Sequence, residues 1–186
     1  MLPHALFNLT VILIIIGYAQ QVSTSLILTP VTAENSSTYV TYSSHEDGIA
    51  ISLPSNWQRI DDKKLSFVTP AQGILDFFRE GLSIIVEPTY NKTLEMLANF
   101  AIDDHKKTLR DFKLLESDPN ILISKHPAHK IVYEFSDITW GKIIIVEIGI
   151  IRDNDIYTVQ FVSQSSKYGE YIPILRTVTN SIRFIQ

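Results

Sequence analysis

KIIIVEIGIIRDNDIYTVQFV, residues 142–162, is the stretch whose reading decides the fold. In Ile143–Ile151 both faces of a period-two strand are apolar, interrupted by Glu147 and Gly149 alone. A strand of that kind must be covered on both sides, which places it inside a sheet rather than at its rim. Arg152-Asp153-Asn154-Asp155 is turn chemistry, so Lys142–Ile151 and Ile156–Val162 are expected to form an antiparallel hairpin.

Downstream, Tyr168, Tyr171, Ile172, Leu175, Thr179 and Ile182 recur on one helical face, and Arg183–Ile185 reads as a closing edge strand. Pro173 fits that helix if its cap lies at about Gly169 or later, so that proline falls in the opening turn. Upstream, Leu94, Leu97, Ala98, Ala101, His105 and Leu109 predict a helix from about Thr93 to Asp111. Thr93 is placed to cap it, and Glu95 suits the positive end of its dipole. Phe112–Ser117 and Ile121–Ser124 read as two strands paired across a turn at 117–120, with His129–Phe135 a third. Nearer the start, Tyr39–Ser44 and Gly48–Leu53 form a strand pair around the turn His45–Asp47, followed by short strands at Leu65–Val68 and Leu82–Glu87. Many antiparallel strands with one helix in the middle and one near the end make an α+β layered domain.

The bulk properties bound the rest. The chain has 186 residues, 45% of them hydrophobic and 19% charged, enough apolar side chain for a core. A formal net charge of −4, with basic residues clustered no further than the pairs Lys63-Lys64 and Lys106-Lys107, excludes a phosphate-tracking surface and hence nucleic acid as partner. The absence of cysteine excludes disulfides, thiolate chemistry, Cys-bound zinc and a lipid-modified cysteine. Ala5–Ala19 is almost continuously apolar, short for a membrane span and suited to a signal-peptide core with small Gly17 and Ala19 before the cut. The expected organisation is a signal peptide or N-terminal anchor at 1–19, a linker at 20–38 and one domain at 39–186, lying outside the cytoplasm. The sequons at Asn35 and Asn91 permit glycosylation there.

Few residues carry a chemical signal. His45, Glu46 and Asp47 could gather a hard cation such as calcium or manganese, though a hairpin turn wants the same polar residues. Asp153 and Asp155 superficially resemble a calcium loop but lack its glycine and terminal acid. His126 and His129 stand before and within a strand, where residues three apart face opposite ways. Asp76 and Glu80 could act as acid and base only in environments that separate their pKa values. Pro54 closes its strand. Trp140, in Asp-Ile-Thr-Trp-Gly between two strands, is the candidate anchor for a protein partner. No nucleophile elbow, phosphate loop, dinucleotide fingerprint or zinc-protease helix is present, and the chain reads as no enzyme.

The ordered set YSSHEDGIAISLPSNW, FVTP, DFFREGLSIIVEP, TLEMLANFAIDDHKKTL, FKLLESD, HPAHKIVYEF, DIYTVQFVSQ and KYGEYIPILRTVTNSIRF resembles the PsbP family. These are extrinsic proteins of the photosystem II oxygen-evolving complex, and the likeness is greatest to stand-alone members from non-photosynthetic microbes. The resemblance covers residues 39–186. It implies an antiparallel sheet sandwiched by helices, an α-β-α arrangement, and a non-catalytic protein that docks on a membrane complex. A long basic docking arm and a chloroplast transit peptide are missing, which separates the chain from the photosynthetic branch. The function expected is docking, assembly or stabilisation at the outer face of a membrane protein complex, by a chain monomeric in isolation. The alternative is a divalent-cation binder.

Overall fold

The hairpin read from residues 142–162 stands inside a seven-stranded antiparallel sheet. The computed structural model describes residues 38–61, 65–73 and 76–186, so the expected export segment and the linker up to residue 37 lie outside the described residues. The elements in chain order are β1 (Tyr39–Ser44), β2 (Ile49–Pro54), β3 (Gln58–Asp61), β4 (Ser66–Val68), β5 (Gly81–Pro88), α1 (Leu94–Thr108), β6 (Lys113–Ile123), β7 (His126–Asp137), β8 (Gly141–Arg152), β9 (Asp155–Gln164), α2 (Tyr168–Ser181) and β10 (Arg183–Phe184). The large sheet runs β3-β4-β5-β9-β8-β7-β6, which puts β8 and β9 in its interior.

The two apolar faces of β8 build two cores. Ile144, Val146, Ile148 and Ile150 pack with Val159 and Phe161 beneath Tyr171, Leu175 and Val178 of α2. Ile143 and Ile145 pack with Tyr133 and Val162 beneath Leu97, Ala98 and Ala101 of α1. One helix thus covers each face, the α-β-α arrangement expected from the sequence. One layer is richer than expected. Strands β1 and β2 join β10 in a separate three-stranded sheet, whose Ile49, Ile51 and Leu53 complete the α2-side core. Trp57 is buried on that side, its ring 6.2 Å from Phe161 and 6.5 Å from Tyr171. It is a packing residue.

Strand β3 has no counterpart in the sequence reading, and three further elements differ from it in extent. The two strands expected between 112 and 124 are one strand, β6 (Lys113–Ile123), which pairs along its length with β7 instead of folding on itself. Pro119 cannot donate to a ladder, but β6 is the edge of the sheet, and a register shift between Asp118 and Ile121 accommodates the proline. Helix α1 has the predicted cap, Thr93 Oγ1 accepting from Met96 N–H, but ends at Thr108, ahead of Asp111. Helix α2 begins at Tyr168, so Pro173 lies in its second turn. The carbonyl it leaves without a helical donor belongs to Gly169, an exposed residue, where water can replace the lost bond.

Candidate functional site

The two acidic turns read as cation candidates come to the same corner of the molecule. Asp47 is used by its own hairpin: Ser44 Oγ donates to Asp47 Oδ2 at 2.7 Å and accepts from the Asp47 N–H at 3.2 Å. His45 and Glu46 are exposed. Asp47, Asp153 and Asp155 all act on Tyr157, whose hydroxyl is pushed up chiefly by burial. The positive charge at this corner comes from the protein. Arg152 Nη1 donates to the carbonyls of Gly48 at 3.1 Å and Ile185 at 3.3 Å, and the guanidinium lies 5.1 Å over the Phe184 ring. Among the described residues no group of three or more His, Asp or Glu side chains could hold a metal ion, so the set His45, Glu46, Asp47 is not assembled into one.

His126 and His129 point to opposite faces. His126 meets Phe184 edge-on at 4.8 Å, while buried His129 shares a 2.9 Å hydrogen bond with Ser117 Oγ. Burial lowers the pKa of His129, and the charges of Asp118 and Glu95 only partly oppose it.

The buried carboxylates sit under the helices. Glu147, the polar interruption of β8, accepts at Oε1 from Tyr133 Oη at 2.9 Å and from Gln160 Nε2 at 2.7 Å. His105 Nε2 of α1 stands 3.5 Å from the same oxygen. Desolvation, then the neighbouring Glu147, drives the Tyr133 phenol well up. On the other face the structure draws the suspected pair Asp76 and Glu80 together through Lys167, whose Nζ lies 3.5 Å from Asp76 Oδ1 and 3.8 Å from Glu80 Oε1. Glu80 is fully buried, and desolvation raises its pKa against the pull of its own backbone hydrogen bond and of Lys167. Tyr171 Oη donates to Glu80 Oε2 at 3.3 Å. Glu80 itself lies closed beneath α2.

The surface also presents apolar groups. At the β7–β8 turn, Asp137 Oδ1 accepts from the N–H groups of Thr139 and Trp140, both at 2.8 Å, and Gly141 takes a φ of 76° to close the turn. The Trp140 indole is half-buried, packed edge-on against Phe78 at 5.6 Å. Ile138 projects from the same turn with 88% of its surface exposed, and Phe77, beside the supporting Phe78, is 52% exposed. Below the turn Glu134 accepts from Ser165 Oγ at 2.7 Å and Lys142 Nζ at 2.9 Å, and these bonds hold its carboxyl below the ordinary range. Sequence reasoning found Trp140 and missed Ile138, because a single apolar residue in a turn has no period to show it.

A second apolar feature is a groove of about 320 Å³ between α2 and strands β6–β9, floored by Val146, Ile148 and Phe161. No helix among the described residues is long and apolar enough to cross a membrane.

This geometry defines the class of fold, an antiparallel α+β sandwich, and comparison with solved structures agrees. Cyanobacterial PsbP (CyanoP) from Synechocystis sp. PCC 6803 superposes with a TM-score of 0.58 at 15% identity, over 84% of this chain and 98% of that one. The Ran-binding protein Mog1p of Saccharomyces cerevisiae gives 0.57 at 10% identity over 81% and 97%. LpqN of Mycobacterium tuberculosis, described as involved in cell envelope biogenesis, gives 0.58 at 9% identity over 74% and 83%. The chain therefore shares the fold common to PsbP and Mog1. No protein-family model matches the chain, and no curated protein matches its sequence.

Proposed function

We propose that this chain is an exported, non-catalytic accessory protein that docks on the outer face of a membrane protein complex through the β7–β8 turn. The observation that carries the reading is Ile138, 88% exposed at the joint of two 12-residue strands. A large aliphatic side chain held in water on a rigid support is ready to be buried by a partner, and the Asp137 turn and the Trp140–Phe78 contact supply that support. Structural neighbours described as a PsbP and as Ran-binding favour a binding role over catalysis. Export rests on the apolar run Ala5–Ala19.

The test is recovery of the tagged chain with the membrane fraction of its own cells. Ile138→Glu alters only an exposed position and is expected to abolish recovery while leaving thermal unfolding unchanged. Undiminished recovery of that variant would refute the docking turn.

A further inference from the structure

The groove beside α2 exists because the sheet is wider than its cover. Seven strands at ~4.8 Å spacing span roughly 29 Å, whereas one helix with its side chains covers only about 10–12 Å. Helix α2 and the small sheet leave the β6 side of their face open. The floor there is core-like, but Leu122 on one wall is 69% exposed and Ile172 on the other 42%.

The charged residues of the lining are both basic. Lys130 and Arg176 line the groove and no carboxylate does, in a chain whose formal net charge is −4. Lys130 is neutralised by Glu116 at 2.5 Å. The Arg176 guanidinium has no ion pair or hydrogen bond among the described residues. An apolar trough with an unpaired guanidinium at its lip is complementary to one kind of molecule, an apolar chain ending in an anion.

We infer that the α2–β6 groove binds a single long-chain carboxylate, its acyl chain on Val146, Ile148 and Phe161 and its carboxylate on Arg176. A volume of about 320 Å³ lies at the small end of ligand pockets, which run roughly 300–1,000 Å³. A concave trough does not fit a flat bilayer. A peptide would have to satisfy its backbone amides, and the neighbouring edge β6, the strand it could pair with, is broken by Pro119 and two register shifts. An acyl chain carries no such obligation. This site is separate from the docking turn.

The test is titration of the full chain, methyl-labelled for NMR, with myristate below its micellar concentration. The expected result is saturable one-to-one binding with shifts confined to methyls of the groove, such as those of Val146, Ile148 and Leu175. Arg176→Ala is expected to weaken myristate about tenfold while leaving tetradecanol binding unchanged, and Leu122→Asp to abolish both. Both positions are exposed, so neither variant threatens the fold. The proposal is overturned by absence of saturation, by shifts away from the groove, or by equal affinity of Arg176→Ala for myristate. Binding only to phosphatidylglycerol vesicles, or only to a capped leucine-rich pentapeptide carrying one aspartate, would equally overturn it.

Discussion

Glu147 of β8 and His105 of α1 face each other across 3.5 Å, both enclosed between the helix and the sheet. The one carboxylate oxygen near His105 also receives Tyr133 and Gln160, so it is the polar centre of an otherwise apolar interface. Glu147→Ala is expected to cost about 3–5 kcal/mol, because it opens a cavity and strips the acceptor from two enclosed donors, Tyr133 and Gln160. Glu147→Gln retains an acceptor and removes a buried charge, so its stability is expected to stay within about 1 kcal/mol of the parent. Urea unfolding with an unchanged m-value checks both, and equal losses in the two variants would contradict this account.

Glu80 makes stability depend on pH in a definite direction. Burial raises its folded-state pKa above the unfolded value, so its protonated form favours folding, and that contribution is lost as pH rises through the folded pKa. Gln does not titrate. Glu80→Gln is therefore expected to gain stability relative to the parent as pH rises from about 4 to about 7. Paired thermal melts across that range check it, and a gain that shrinks with rising pH would contradict it.

The β6–β7 hairpin closes through Ser124 and Lys125 with φ of 49° and 69°, both in the left-handed region. That is the turn geometry which favours Asn-Gly. Lys125→Gly is expected to stabilise the chain by about 0.5–1 kcal/mol, read as a higher urea midpoint.

That turn also explains what the sequence conceals. Ser-Lys carries no hairpin signal, so the reading placed the reversal at Ser117–Asn120, where Pro119 does look like a turn, and split β6 in two. The interior hairpin was legible because both faces of Ile143–Ile151 are apolar, and α1 because its stripe and Thr93 cap agree. His105 was correctly placed on the apolar stripe, but its partner Glu147 is distant in sequence, and only the sheet register aligns them. The second sheet was hidden for a similar reason: β10 is two residues long, and its pairing with Ile49 and Ala50 spans most of the chain. At the candidate site, Trp140 was visible as an indole in a turn. That Phe78 half-buries it, leaving Ile138 as the projecting group, depends on tertiary packing.

The β7–β8 turn divides its labour between these two residues. Trp140→Ala is expected to lower stability by about 1–3 kcal/mol, since it removes a half-buried ring from Phe78. Ile138→Ala is expected to stay within about 0.5 kcal/mol, as an exposed position should. Thermal melts of the two purified variants separate these roles.

The docking claim is tested most directly by a photo-crosslinking side chain at position 138 in native membranes, with position 107 on exposed α1 as control. The account predicts a discrete adduct with a membrane-complex subunit from position 138 and none from position 107. No adduct from position 138, or the same adducts from both positions, would contradict it.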